Sequence, residues 1–147
     1  MIAAIKLMID ALLVEDNTFF RQSIKWILKE KFPVLDISEA GDGLEALERC
    51  QQAQPDLVLL DISLPKLNGL ELCKYIRQGS PATVIIMLTN YDLPEYRQAA
   101  LKNGANHFLP KDLRQEEILA LVASEIEKMA PQTGLEPVSN NFPSTSS

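Results

Sequence analysis

The sequence has few cysteines, no excess of positive charge and no long apolar run. Cys50 and Cys73 are the only two cysteines among 147 residues, and each lies within an apolar helical stripe. We therefore expect two buried, reduced thiols. The formal net charge is −6, whereas nucleic-acid-binding surfaces cluster Lys and Arg. The composition therefore predicts that this segment binds no nucleic acid.

The sequence also lacks the apolar segments of membrane-inserted and exported proteins. No run approaches the length of a membrane-spanning helix. The apolar start, Met1 to Ile5, is too short for a signal peptide and lacks a basic start and a cleavage site. These absences predict a cytoplasmic protein that binds no membrane. The 147 residues are enough for one domain with its own core.

Short apolar runs alternate with stretches of helical periodicity along the chain. The apolar runs predict strands near 10–15, 34–39, 57–61, 83–89 and 107–111. The periodic stretches predict helices near 18–31, 43–53, 69–78, 93–103 and 113–129. Such alternation is typical of a parallel sheet with helices on both faces, so the sequence predicts a doubly wound α/β fold.

Two end segments differ from this pattern. Residues 1–8 precede the first predicted strand and form an extension without a predicted structural role. Residues 131–147 are rich in Ser, Asn and Pro and have too few apolar side chains to bury a core, which is typical of a flexible linker. We therefore expect one domain over 9–130, with an output domain absent from this chain.

Polar side chains stand where four of the predicted strands end. Glu15 and Asp16 follow the first strand, and Asp61 ends the third. Thr89 ends the fourth strand and Lys111 the fifth. Parallel strands bring their carboxyl ends to one edge of the sheet, where such folds hold their ligands. The sequence therefore predicts a site that combines three acids, a hydroxyl and an ammonium.

These residue types together favour phosphoryl chemistry. Converging carboxylates repel at roughly 4 kcal/mol per pair, so they persist by taking up protons or by holding a cation. Hard oxygen ligands suit Mg²⁺, and a carboxylate beside Mg²⁺ can attack phosphorus. Each residue also has a structural interpretation, since Glu15-Asp16-Asn17 could cap the helix that begins near Thr18, and Thr89 could bond its own backbone. The shared position at one edge favours the functional interpretation.

The motifs around these residues carry a resemblance to a known family. They are LLVEDN around Glu15, DLVLLDISLPKLNGLEL around Asp61, VIIMLTNYD at Thr89 and GANHFLPKD at Lys111. In this order and spacing they make residues 9 to 128 resemble the receiver domain of bacterial two-component response regulators. The resemblance implies a flavodoxin-like five-stranded parallel sheet of order 2-1-3-4-5.

The resemblance also implies a metal site. Asp61 ends the third strand at the position of the phosphoacceptor. Asp16, Asp61 and the backbone carbonyl of Ser63 match the positions that hold Mg²⁺ in the family. Glu15 is expected to act through a metal-bound water. Mg²⁺ is the only cofactor that the resemblance implies.

Three further positions match residues that respond to the phosphoryl group. Thr89 and Lys111 match the residues that contact the phosphoryl oxygens. Phe108 falls at the aromatic position of strand five that turns inward as the threonine moves toward the phosphate. Thr89 and Phe108 are therefore the expected switch residues.

The implied function is that of a signalling receiver. Asp61 would accept a phosphoryl group from a sensor histidine kinase or phosphotransfer protein in a Mg²⁺-dependent reaction. The surface around strand five would then switch and control an output, with transcription as the expected one. The domain would promote its own phosphorylation and dephosphorylation without being a conventional enzyme. A homodimer is compatible with this role.

Two departures from the family pattern carry structural expectations. Asp112 follows Lys111 where the family commonly has proline, so we expect a trans peptide bond there. Lysine followed by aspartate is similar to receivers attached to LuxR-type helix-turn-helix domains. Pro110 has no N–H to donate, so the fifth strand should lie at the sheet edge. Phe108 has no hydroxyl, so a switch there would rely on packing.

Other side chains leave two interpretations open. Phe19 and Trp26 lie off the apolar stripe of the first helix, either as lids over the core edge or as a contact surface. We interpret His107, the single histidine, as a passive edge residue rather than a ligand.

Three other functions are alternatives for a chain with these residues. A haloacid-dehalogenase-type phosphatase needs a second acid two residues after the nucleophile, where Ser63 stands. A flavodoxin-like flavin binder needs a phosphate-accepting first loop, which Glu15 and Asp16 would oppose by charge. The remaining alternative is a receiver that acts as an interaction module without phosphorylation; the complete residue set argues against it.

Overall fold

The computed structural model describes residues 8–112 and 115–129. The extension at 1–7, the tail from 130 onward and residues 113–114 lie outside the described part. The strands are β1 Ile9–Val14, β2 Leu35–Ala40, β3 Leu57–Asp61, β4 Val84–Thr89 and β5 His107–Pro110. The helices are α1 Thr18–Lys31, α2 Gly43–Gln52, α3 Gly69–Gly79, α4 Pro94–Lys102 and α5 Gln115–Met129.

The five strands form one sheet of order β2-β1-β3-β4-β5, in which every neighbouring pair is parallel. This confirms the predicted fold class and strand order. β5 lies at the edge, where the missing N–H of Pro110 is tolerated. No peptide bond in the described residues is cis, so the bond between Lys111 and Asp112 is trans as expected.

Helices cover both faces of the sheet, and each face has its own core. Along β3, Val58 and Leu60 point to one core while Leu57 and Leu59 point to the other, as the alternation of a strand requires. The first core receives side chains from α2, α3 and α4. The second core receives them from α1 and α5. The strands of the sheet centre are therefore buried on both sides, which explains their uninterrupted apolar sequences.

Side-chain caps set where three of the helices begin. Asn17, Asp42 and Asn68 each accept a hydrogen bond from the backbone N–H three residues later. Because Asn17 caps α1, the carboxylates of Glu15 and Asp16 remain available at the sheet edge. The capping interpretation of the segment from Glu15 to Asn17 is therefore confirmed for Asn17, whereas the two acids are not the capping residue.

The remaining fold expectations have mixed outcomes. Both cysteines are free and Cys73 is buried, as predicted, but Cys50 is only half-buried. Burial raises the pKa of each thiol to about 11, which keeps it protonated and unreactive. Phe19 and Trp26 are 85% and 67% exposed, so they do not act as lids over the core. No helix in the described ranges combines the length and apolar character that crossing a membrane requires.

Candidate functional site

The carboxyl edge of the sheet brings the predicted side chains together. Glu15 follows β1, and its N–H donates to the carbonyl of Ala40 in β2 at 3.0 Å. Asp61 is the last residue of β3 and Thr89 the last of β4. Lys111 follows β5, where its N–H donates to the Thr89 carbonyl at 2.7 Å. Backbone hydrogen bonds between the strands thus fix the backbone positions from which the predicted site residues project.

Lys111 joins two of the acids. Its Nζ lies 2.6 Å from Glu15 Oε1 and 3.0 Å from Asp61 Oδ2. The three side chains are only 9%, 3% and 6% exposed, respectively. Because buried charges are costly unless they are paired, the ammonium and the carboxylates depend on one another. One cation shared by two anions leaves the cluster with a net negative charge.

Burial and pairing shift the pKa values of this cluster. Burial raises the pKa of Glu15, and the hydrogen bonds from Lys111 and from the Asn17 N–H only partly oppose it. Burial acts to lower the pKa of Lys111, but the hydrogen bonds to Glu15 and Asp61 outweigh it and raise that pKa. Lys111 is therefore a permanent cation at neutral pH. The raised pKa of Glu15 reflects the cost of burying its charge, to which the nearby charge of Asp61 adds.

Three carboxylates are arranged so that they could hold a metal ion. Glu15, Asp16 and Asp61 each offer an oxygen, and these oxygens lie within 4.8 Å of one another. Asp16 is exposed, so water has access to that side of the cluster. A set of hard oxygen ligands with room for water fits Mg²⁺. The excess negative charge of the cluster favours any such cation.

The loop after β3 holds Asp61 in place. The Ser63 N–H donates to Asp61 Oδ1 at 3.2 Å, and Lys66 in the same loop has a left-handed backbone with φ 71°. Gly69 donates its N–H to the Ile62 carbonyl at 2.7 Å. A Cβ on Gly69 would lie 2.0 Å from the Asp61 carbonyl oxygen. Only glycine allows α3 to begin this close to Asp61.

The two predicted switch residues are both buried. Thr89 is 0% exposed, and its Oγ1 accepts a hydrogen bond from the Tyr91 N–H at 2.9 Å. Phe108 is 3% exposed and belongs to the first core. The guanidinium carbon of Arg97, on α4, lies 5.0 Å from the centre of the Phe108 ring. Phe108 therefore already points inward while the Thr89 hydroxyl is engaged with the loop that follows β4.

Several contacts near the site were not predicted. The Lys111 ammonium lies 4.7 Å from the centre of the Phe20 ring. His107 Nε2 lies 2.7 Å from Oε2 of Glu125, which is buried in α5. The sequence contains a signal for this contact, because Glu125 lies within the apolar stripe of α5. An acid in such a stripe needs a buried partner, and the single histidine could have been predicted as that partner. No sequence pattern indicates the contacts of Phe20 with Lys111 or of Arg97 with Phe108, because these contacts depend on how the helices pack on the sheet.

The doubly wound sheet of order 2-1-3-4-5 places the chain among the flavodoxin-like α/β proteins. Residues 11–123 match the response regulator receiver domain family. The chain belongs to that family.

Comparison with individual proteins agrees with this assignment. The response regulator MprA of Mycobacterium leprae (strain TN) is 34% identical over 131 residues, which cover 89% of this chain and 57% of the relative. MprA of Mycobacterium sp. (strain KMS) is 35% identical over 123 residues, covering 84% of this chain and 53% of the relative. The chain thus spans only about half the length of the curated relatives it matches.

Solved receiver structures superpose well on this fold. The receiver domain of the putative response regulator NarL from Mycobacterium tuberculosis has a TM-score of 0.73 at 28% identity, covering 80% of this chain and 94% of that one. A two-component response regulator from Clostridium difficile has a TM-score of 0.77 at 27% identity, covering 84% and 100%.

Proposed function

We propose that Asp61 accepts a phosphoryl group and that this chemistry switches the protein between two signalling states. The observation that carries the proposal is the ammonium of Lys111, which lies between Asp61 and Glu15 with all three side chains largely buried. A buried cation at this place can neutralise charge that is added to Asp61. Membership of the receiver family and the names of the response-regulator relatives support the same function.

The proposed transfer proceeds from a phosphohistidine to the aspartate. A carboxylate oxygen of Asp61 attacks phosphorus and forms the new P–O bond. The P–N bond breaks, and the histidine nitrogen keeps the electron pair. Later attack of water on phosphorus breaks the P–O bond to Asp61 and releases inorganic phosphate. The protein thus turns over its own acyl phosphate and is not proposed to act on any other substrate.

The residues around Asp61 contribute position and charge, which are the main requirements of phosphoryl transfer. The Lys111 ammonium leaves Asp61 Oδ2 and binds a phosphoryl oxygen. The Thr89 hydroxyl donates a hydrogen bond to another phosphoryl oxygen. Glu15, Asp16, Asp61 and the Ser63 carbonyl would hold Mg²⁺, which when bound supplies further positive charge next to the phosphoryl group.

The proposed switch begins at the Thr89 hydroxyl. Phosphorylation replaces the single negative charge of the Asp61 carboxylate with a phosphoryl group that carries about two. Thr89 would then turn from the Tyr91 N–H toward the phosphoryl group and alter the loop between β4 and α4. Because Phe108 is already buried beneath Arg97, we propose that it acts as the packed support for this movement. The surface formed by α4, β5 and α5 would carry the change to the output.

The proposed partners follow from this chemistry. A sensor histidine kinase or a phosphotransfer protein would supply the phosphoryl group in the cytoplasm, and a second copy of the chain could pair with the switched surface. Control of transcription is the proposed output, exerted by a domain outside the described residues. The acidic net charge of −6 argues against nucleic-acid binding by the receiver itself.

Incubation with acetyl phosphate tests the proposal without any protein partner. We expect one acid-labile phosphoryl group per chain, visible by intact mass, and dependent on Mg²⁺. Asp61→Asn should remain unlabelled, whereas Asp36→Asn, an exposed acid on β2, should be labelled like the parent. Failure of the parent to take up phosphate from either acetyl phosphate or phosphorylated kinase would contradict the proposal.

A further inference from the structure

Phe20 lies where the first helix meets the lysine of the site. It is the third residue of α1, and its N–H donates to Oδ1 of the capping Asn17 at 2.9 Å. Its ring is half-buried, with the centre 4.7 Å from Lys111 Nζ. A cation at this distance from a ring face is attracted by the ring electrons. Phe20 is thus in direct contact with the lysine of the site.

A closed set of contacts fixes the ring relative to the acids. The Asn17 N–H donates to Glu15 Oε2 at 2.9 Å, and Glu15 Oε1 lies 2.6 Å from Lys111 Nζ. Glu15 thus contacts Asn17, Asn17 contacts Phe20, Phe20 contacts Lys111, and Lys111 contacts Glu15 again. The end of β1, the start of α1 and the end of β5 are therefore held together around one ammonium.

The ring completes the surroundings of that ammonium. An ammonium has three N–H donors, and the contacts to Glu15 and Asp61 account for two of them. The Phe20 ring is available to the third. Beyond the ring lies a largely apolar cavity of about 220 Å³ between α1 and α5, which Phe20 and Lys111 both line. Without the ring, the lysine side chain would have space to move away from Asp61.

We propose that Phe20 is a positioning residue for Lys111, and that its ring keeps the ammonium at the phosphoryl site during transfer. The inference rests on the proposed phosphorylation of Asp61. Phe20 acts through Lys111, so its contribution to the rate requires that lysine. A small displacement of the ammonium weakens its interaction with the charge that develops in the transition state.

Variants of Phe20, Phe19 and Lys111 test this role with acetyl phosphate. Phe20→Leu keeps apolar bulk but removes the ring, and should slow phosphorylation about fivefold. Phe20→Tyr keeps the ring and should react at nearly the parent rate. Phe19→Leu, the same change at the exposed neighbouring residue, is the matched control and should leave the rate unchanged. In a Lys111→Ala background, Phe20→Leu should have no further effect.

A second readout does not depend on phosphorylation. The ε-protons of Lys111 should be shifted upfield by the ring in the parent and in Phe20→Tyr, and this shift should disappear in Phe20→Leu. The inference is overturned if the parent lacks the shift. It is also overturned if Phe20→Leu slows labelling equally with and without Lys111, since Phe20 would then support the fold in general. If the parent shows the shift but is never phosphorylated, the proposed function fails while the contact stands.

Discussion

Lys111 Nζ lies 3.0 Å from Asp61 Oδ2, so the ammonium is within reach of the phosphoryl group that Asp61 is proposed to accept. The same ammonium lies 2.6 Å from Glu15. One cation cannot neutralise both acids and the exposed Asp16 beside them. The site is therefore suited to gain a second cation.

Removal of the lysine should separate metal binding from signalling. In Lys111→Ala, the carboxylates of Glu15 and Asp61 lose a competing cation, so Mg²⁺ should bind as tightly as in the parent or more tightly. Without Mg²⁺ the variant should be about 3 kcal/mol less stable, because two buried acids lose their partner. Chemical denaturation across a Mg²⁺ titration measures both effects. A marked loss of Mg²⁺ affinity would contradict the separate roles of lysine and acids.

Mg²⁺ should stabilise the folded protein through Asp16. A ligand that binds only the native state adds roughly 2.7 kcal/mol at 100 times its dissociation constant. Asp16→Ala should weaken this stabilisation with little effect on the metal-free protein, since Asp16 is exposed. Thermal melts with and without Mg²⁺ provide the measurement, with Asp36→Ala as the control. If the melting temperature of the parent does not respond to millimolar Mg²⁺, the proposed metal site is wrong.

Thr89 should be needed for the response but not for the transfer. Thr89→Ala removes the bond to the Tyr91 N–H and should cost about 1 kcal/mol of stability. It should still be phosphorylated, while amide shifts around Tyr91 and Phe108 respond weakly to beryllofluoride with Mg²⁺. Thr89→Ser, which keeps the hydroxyl, should restore the response. A full response in Thr89→Ala would show that the signal leaves Asp61 by another route.

Two glycines at opposite ends of α3 should differ sharply when changed to alanine. A Cβ on Gly69 would overlap the Asp61 carbonyl oxygen, whereas a Cβ on Gly79 would meet nothing within 4 Å. Gly69→Ala should therefore lose about 3 kcal/mol or more and disturb the site. Gly79→Ala should be neutral or gain up to about 1 kcal/mol. Urea unfolding compares the two, and equal stabilities would refute the close approach of α3 to Asp61.

The sequence was sufficient to predict the fold because the central strands are buried on both faces. Leu57 to Leu60 form an uninterrupted apolar run ending at Asp61, and such runs alternate with amphipathic helices. The strand order came from the family resemblance, since alternation alone allows several windings. The observed ends of β1 and β2 differ from the predicted ones by one residue. Hydrogen bonds between neighbouring strands set those ends, and the pattern of apolar residues in the sequence does not reveal them.

The site was predictable as a set of residues but not as a set of contacts. The shared position of Glu15, Asp61 and Lys111 at strand ends is visible in the sequence. The partners Phe20 and Arg97 are not, because each reaches the site from a helix whose rotation on the sheet is decided by core packing. The inward position of Phe108 in this structure is likewise a result of packing against the first core.

Mapping the residue that carries the phosphoryl group is the most direct test of whether Asp61 is the phosphoacceptor. After reaction with acetyl phosphate and Mg²⁺, borohydride reduces an aspartyl phosphate and marks that residue for peptide mass mapping. We expect one marked residue, Asp61, in the parent and in Asp36→Asn, and none in Asp61→Asn. A mark on Asp16 or on any other acid of the parent, or a mark that persists in Asp61→Asn, would contradict it.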